Sequence, residues 1–401
     1  MRKTNLVLML TCSVMFFSCY AQKKADKIGV YALDERTLEI NKRKIAEGEA
    51  GKLPAYKKLL KEAEKALIFG PVSVMEKNHL PPSGDKHDYM SLAPYHWPDP
   101  QKTDGLPYIR RDGETNPEVK EYKDKEYMPA LSNHVYKLSL AYYFSDDEKY
   151  AAHAARLIKV WFIEEATRMN PHLNYAQAIK GVNTGRGAGL IDARHFIKVI
   201  DAIGLISHSK YWENSDQLAM QAWFSDFLNW MQTSKIGIHE MNTKNNHGVW
   251  YDALRLSIAL FTKEDELARN VIVSAQERLD KQMNADGYFP YEMQRTTSLH
   301  YTVFVMDAYF NIAQMAEKID VDFWNYISPK GNSLQKGFKV LVPYIANKKV
   351  WEGQQIKTYD LKEGYQLLGM ASSKLNCNSC KQYISDIAGE DASQLLSNLI
   401  Y

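Results

Sequence analysis

The sequence predicts an all-α protein: an (α/α) toroid or incomplete barrel of six or seven helix pairs, with a long N-terminal lid loop. Three observations lead there. Apolar residues recur at helical spacing through most of 401 residues, and 45% of the chain is hydrophobic, enough for a sizeable core. Alternating runs of strand type are nearly absent; "GYFPYE" at 287–292 is the best short strand or turn. The joints between helical segments are often short and no fixed-period repeat is visible, which favours a closed ring of paired helices over a repeat solenoid.

The elements follow in order. Residues 1–21, "MRKTNLVLMLTCSVMFFSCYA", read as an export signal: Arg2 and Lys3 precede an apolar stretch too short for a comfortable membrane span. Cleavage after Ala21 leaves residues 22–401 as a single toroid domain; Cys19, in "FFSC", is the alternative, a lipid-attachment site. Either route puts the mature protein outside the cytoplasm, in the periplasm or on the outer membrane as a lipoprotein. A helix pair is expected around Leu38 and Tyr56. Residues 71–129 then form the lid loop, too long to be a mere connection. It carries Tyr95, His96 and Trp97 in "SLAPYHWPDP", a candidate sugar platform.

Residues 131–163 read as two helices split at "SDDEK". Further helices are expected over 190–206, over 214–233 with an N-cap signal at Asn214, Ser215 and Asp216, and over 246–262, 264–283, 298–319 and 333–348, followed by two C-terminal segments. Between them lies "YAQAIKGVNTGRGAG". Its glycines at 181, 185, 187 and 189 have no βαβ frame and form no dinucleotide fingerprint. Tyr175 and Gln177 are candidates for lining sugar subsites, and Lys180 and Arg186 for pairing with carboxylates.

Without Arg2 and Lys3 the formal charge of +2 falls to about zero, which argues against nucleic acid as a partner. Outside the leader only Cys377 and Cys380 remain, too few for a structural zinc site; they read as a small disulfide or two free thiols.

The chemistry concentrates in two stretches. "NNHGVW" opens a helix with Asn245, Asn246 and His247, followed by Trp250. "RTTSLHY" places Arg295, His300 and Tyr301 at another helix entrance. Helix beginnings carry unpaired N–H groups and partial positive charge, which suit an anionic ligand. A β-elimination on a uronic acid needs this set. Removing the C5 proton loads charge onto the neighbouring carboxylate, which donors must neutralise. Asn246, His247 and Arg295 can do so. Tyr301 can take the C5 proton and protonate O4, provided that a nearby arginine favours its ionised form. A glycoside hydrolase on a similar toroid would need two paired carboxylates; Asp192, Asp252 and Glu292 are available but do not pair by sequence. A non-catalytic glycan-binding surface lipoprotein would use Trp97 and Trp250 and leave the polar set idle.

The two stretches, with "SLAPYHWPDP" and "YAQAIKGVNTGRGAGLID", resemble the alginate lyase superfamily of α/α-toroid polysaccharide lyases over roughly residues 70–320. The resemblance implies a β-elimination independent of metal or other cofactor, on an anionic polysaccharide. It assigns Asn246 and His247 to carboxylate neutralisation, with His247 a second base, Arg295 to the arginine position and Tyr301 to the catalytic tyrosine. In the better-known branch the tyrosine lies seven residues after the arginine, whereas here it lies six after. On a helix one residue is about 100°, so the phenol is expected to point differently unless the backbone compensates. The pattern looks closer to a neighbouring family acting on alginate, glucuronan or both.

Overall fold

The computed structural model describes residues 28–401; the leader and Cys19 lie outside them. The helices are α1 (Glu35–Ala46), α2 (Leu53–Ala66), α3 (Lys123–Ser145), α4 (Glu148–Phe162), α5 (Phe196–Ile206), α6 (Asn214–Thr233), α7 (Lys235–Met241), α8 (Asn246–Phe261), α9 (Asp265–Gln282), α10 (Pro290–Met293), α11 (Ser298–Ala316), α12 (Leu334–Ile345), α13 (Tyr365–Lys374), α14 (Cys380–Ala388) and α15 (Ser397–Ile400). Four short strands accompany them: β1 (Met90–Leu92), β2 (His96–Trp97), β3 (Ile109–Arg110) and β4 (Tyr175–Ala178).

Burial separates an inner from an outer layer. In α11, 16 of 19 residues are buried, whereas α9 buries six of 18 along one stripe. A helix apolar all round needs partners all round; an amphipathic one needs only one. Accordingly α3 packs on α5, α5 on α8, α8 on α11 and α11 on α13. Outside them α2 and α4 lie against α3, α6 and α9 against α8, α12 against α11 and α14 against α13. Helix α15 touches α13 and α1, and α1 touches α3, which closes the ring. Its densest aromatic packing joins α4, α5 and α6: Trp223 meets Phe162 edge-on at 4.8 Å and stacks on Phe227 at 5.4 Å, with Phe196 and Phe224 around them. Among the described residues no helix is long and apolar enough to cross a membrane.

Several boundaries have local causes. At "SDDEK", Asp146 takes a left-handed φ of 57° to end α3, and the Asp147 carboxylate accepts from Lys149 N to start α4. Helix α6 is capped one residue earlier than expected, by Glu213 in a capping box with Asp216. The expected helix over 190–206 is 3₁₀ from Gly187 to His195 and becomes α only at Phe196. "GYFPYE" is a turn leading into α10, because Pro290 suits a first helical turn. The lid loop is shorter than expected: α3 begins at Lys123 and carries Pro129 inside it. The Asp124 carboxylate anchors that early start. It accepts from Met90 N at 2.9 Å and pairs with Lys77 Nζ at 3.1 Å, the Lys77 and Asp124 side chains being nearly solvent-free.

The lid also contributes the sheet structure that sequence did not signal. β1 runs parallel to β4, with Met90 opposite Tyr175 and Leu92 opposite Ala178, and β2 pairs antiparallel with β3. Strands of two to four residues are too short to show alternation. Cys377 and Cys380 are disulfide-bonded, with Cys380 fully buried at the start of α14.

Candidate active site

The site begins at the entrance of α8. Asn245 is its N-cap, the side-chain oxygen accepting from His247 N at 3.3 Å. Asn246 is fully buried. Its backbone N–H and side-chain amide both donate to Glu292 of α10, at 2.6 and 2.7 Å, while its own Oδ1 has no partner. Burial raises the Glu292 carboxyl above its usual range, and the Asn246 hydrogen bonds oppose that shift. The next residue, His247, places Nδ1 2.6 Å from Oε1 of Glu240, a carboxylate on α7 that is 1% exposed. An ionised carboxylate only accepts, so Nδ1 carries the hydrogen in this contact, and in the neutral imidazole that leaves the lone pair on Nε2. Base and orienting acid stand in the relation expected of an activated proton acceptor. Gly248 is required by close approach: a Cβ there would lie 2.3 Å from Arg278 Nη1 and 2.6 Å from Thr243 O.

Across the cleft stand Arg295 and Tyr301. Arg295 precedes α11, which starts at Ser298, so the six-residue spacing crosses a turn and the helical 100° step does not apply. The guanidinium carbon lies 3.6 Å from the Tyr301 ring centroid, face to face with it. The Tyr301 hydroxyl donates to that of Tyr95 on the lid at 2.9 Å. Arg295 favours the ionised phenol, as expected, but burial works against it. The tyrosine is 7% exposed; burial, with Tyr95 beside it, pushes the hydroxyl far above its ordinary value, and Arg295 offsets this only in part. Arg295 is itself held by Asp112 of the lid, with Nη2 to Oδ1 at 2.7 Å and Nε 3.1 Å from both carboxylate oxygens.

These groups line one cleft of about 410 Å³, together with Tyr95, His96, Gln177, Arg186, Asn245 and His300. Asn246 and Arg295 therefore face a single space. Among the lining side chains, Arg110, Lys125, Arg186, Arg194 and Arg295 are cationic, whereas Glu240 alone is a carboxylate. An acidic ligand is favoured even though the whole chain is near neutral. Gln177 has φ of 50°, unusual for a residue with a side chain, and is wedged between Arg186 Nη2 at 3.0 Å and Asp192 Oδ1 at 3.1 Å. Buried Nε of Arg186 and Nδ1 of His96 have no partner, leaving two polar atoms for a ligand or water. Burial, then Arg186 and Arg110, lowers His96 to about 4, so it is neutral near pH 7. His300 sits at the rim, paired with Glu363 at 2.7 Å.

Four residues expected at the site do not line this cleft. Trp97 donates from Nε1 to Glu114 O at 2.9 Å and packs under Arg111. Lys180 pairs with Glu118 at 2.9 Å. Tyr175 packs edge-on against His172 at the β4 entrance. Trp250 lies one turn into α8, against Phe304 at 5.0 Å, and lines a separate smaller cavity inside the ring. The carboxylates that a hydrolase would need are engaged elsewhere: Glu292 holds Asn246, Asp192 is tied to Lys125 and Gln177, and Asp252 pairs with Arg278 at 2.7 Å. Sequence reading noted Arg110 on the lid but missed Glu240, Asp112, Lys125 and Arg194. Glu240 has a weak signal, seven residues before His247; the others have none. Among the described residues no three His, Cys, Asp or Glu side chains gather as metal ligands would.

Comparison with known proteins agrees with this geometry. The family model described as alginate lyase matches residues 73–351. An alginate lyase from Bacteroides ovatus superposes with a TM-score of 0.88 at 39% identity, covering 93% of this chain and 98% of that one. Alginate lyase A1-III from Sphingomonas species A1 superposes at 0.58 with 14% identity, over 94% of this chain and 96% of its own, a likeness of fold. A histidine-to-alanine variant of A1-III complexed with a tetrasaccharide gives 0.57 at 14% identity, over 88% and 89%. No curated protein matches the sequence.

Proposed function

The chain belongs to the alginate lyase family, and from that premise we propose that it cleaves β-1,4-linked uronate polymers by β-elimination, with mannuronate-rich alginate the principal substrate and glucuronan a further one. It is a polysaccharide lyase, and its product carries an unsaturated uronate end. The observation that supports the reading best is the convergence of Asn246, His247, Arg295 and Tyr301 on one cation-rich cleft.

In the proposed reaction the uronate carboxylate lies against Asn246 and the free face of Arg295. The Asn246 amide retains a second hydrogen for it. Glu292 holds that amide in place through its two hydrogen bonds from Asn246. Together Asn246 and Arg295 disperse the charge that builds up as C5–H breaks. In mannuronate and glucuronate the C5 proton and O4 lie on one side of the ring, so Tyr301 serves both: it takes the first proton and returns one to O4 as the C4–O4 bond breaks. The phenol must then enter the reaction deprotonated, and Arg295 at its ring is the group that favours this. In guluronate C5 is inverted and the base must approach from the other face. His247 Nε2, with Nδ1 fixed by Glu240, is that base.

The test follows absorbance of the C4=C5 double bond during incubation with polymannuronate, polyguluronate and glucuronan. Tyr301→Phe should abolish the signal while polymer retention stays; an active Tyr301→Phe enzyme would overturn the assignment of acid and base. His247→Ala should impair polyguluronate cleavage most, whereas equal loss on all polymers would assign His247 to carboxylate neutralisation. We place the enzyme in the periplasm or, through Cys19, on the outer membrane, on the strength of its leader sequence. Mass spectrometry of the mature N-terminus distinguishes the two.

A further inference from the structure

Resting on the roles just given to Arg295 and Tyr301, we propose that Asp112 of the lid is a positioning residue for the elimination: it fixes Arg295 face-on against the Tyr301 ring and meters how much of the arginine's charge the phenol experiences. Neither catalytic stretch contains Asp112, which lies 183 residues from Arg295 in sequence. Yet its carboxylate is fully engaged at this one place. It accepts two bonds from Arg295 Nε and one from Nη2, at 2.7 to 3.1 Å, then Thr296 N at 3.1 Å and Thr296 Oγ1 at 3.0 Å. Its backbone carbonyl accepts from Thr296 Oγ1 as well, at 3.0 Å. The approach is so close that the next residue has to be glycine. Gly113 has φ of +78°, and a Cβ there would lie 2.5 Å from Thr296 Oγ1.

The clamp has two consequences. Bidentate pairing of a guanidinium leaves it one orientation, here with its plane against the phenol ring and with Nη1 free of protein partners. The carboxylate also neutralises much of the charge that would otherwise promote phenolate. The charged and titratable groups facing this pair are Tyr95 and Arg110 from the lid, Glu292 from α10 and His300 from α11; Arg110 Nη2 reaches Asp112 at 2.6 Å. Burial alone would raise the Asp112 carboxyl, but hydrogen bonds from Arg295 and Thr296 hold it far below the usual range, so it stays charged throughout the working pH range. Asp112 thus works against phenolate and Arg295 for it.

The experiment compares pH–rate profiles of the full-length enzyme, Asp112→Asn and Asp112→Glu on polymannuronate. Asparagine retains the shape and loses the charge, so Arg295 acts on the phenol undiminished. The limb reporting Tyr301 should move to lower pH by roughly one unit. Glutamate restores the charge and, whatever its rate, should keep the limb at the wild-type position. An Asp112→Asn limb that stays put or moves to higher pH overturns the proposal. So does an Asp112→Glu limb displaced to lower pH by roughly one unit from the wild-type position, and this arm stands even if the asparagine variant does not fold. A wild-type enzyme that forms no unsaturated product on any uronate polymer would instead refute the functional reading itself.

Discussion

Glu240→Gln isolates the orienting group behind His247. Glutamine has the same shape and can still accept from Nδ1–H, so the tautomer and ring position are kept, and the residue is 1% exposed, so no water can take over the carboxylate's part. What is lost is the charge that stabilises the imidazolium as the C5 proton arrives. The contact is short, 2.6 Å. A hydrogen bond to a charged partner contributes about 1.5–3 kcal/mol and a neutral one about 0.5–1.5. The difference of about 1–1.5 kcal/mol, felt in the transition state, corresponds to roughly tenfold in kcat. Steady-state formation of the unsaturated product should therefore fall about tenfold on polyguluronate and much less on polymannuronate, where Tyr301 serves as base. An equal fall on both polymers would show that the pair acts on the carboxylate rather than on C5. No fall on either would show that Glu240 does not support His247 at all.

Other consequences are accessible to routine measurement. Gly248→Ala forces a methyl against Arg278, whose guanidinium is tied to Thr243 O, Met241 O and Asp252 and has little freedom to yield; chemical denaturation should register about 1–3 kcal/mol of destabilisation, and kcat should fall because Asn246 and His247 are displaced with the helix entrance. His96 has a folded value near 4 against about 6.5 when unfolded. Below pH 6.5 the unfolded chain gains the proton first, so its contribution to stability is complete above 6.5 and lost as pH falls towards 4. His96→Gln should flatten the pH dependence of Tm in that window, and an unchanged dependence would contradict the burial seen. Raising ionic strength from about 0.05 to 0.5 M should increase KM for polymeric substrate with little change in kcat, since five cations and one carboxylate line the cleft; a KM insensitive to salt would remove the electrostatic argument.

The helical architecture and the two polar stretches that meet in the cleft are legible in the sequence because the signals are local. Apolar periodicity depends only on neighbours three or four residues apart, and "NNHG" declares a capped helix entrance through Asn245. Reading stopped where contacts join distant segments. The lid strands are too short to alternate, Pro129 suggested a loop where Asp124 anchors a helix, and Trp97, Tyr175, Lys180 and Trp250 are the residue types of a sugar site but pack elsewhere. The spacing between Arg295 and Tyr301 carries directional information only in a continuous helix, and the chain turns between them.

The class of fold, the polar residues at two helix entrances and the family to which they point are encoded directly in residue type and short-range period. That both entrances open on one cleft, that Glu240 orients His247, that Glu292 holds Asn246 and that Asp112 holds Arg295 comes from the folded chain alone. Each depends on burial and on distances between groups far apart in the chain, and closing the ring of helices is what creates both.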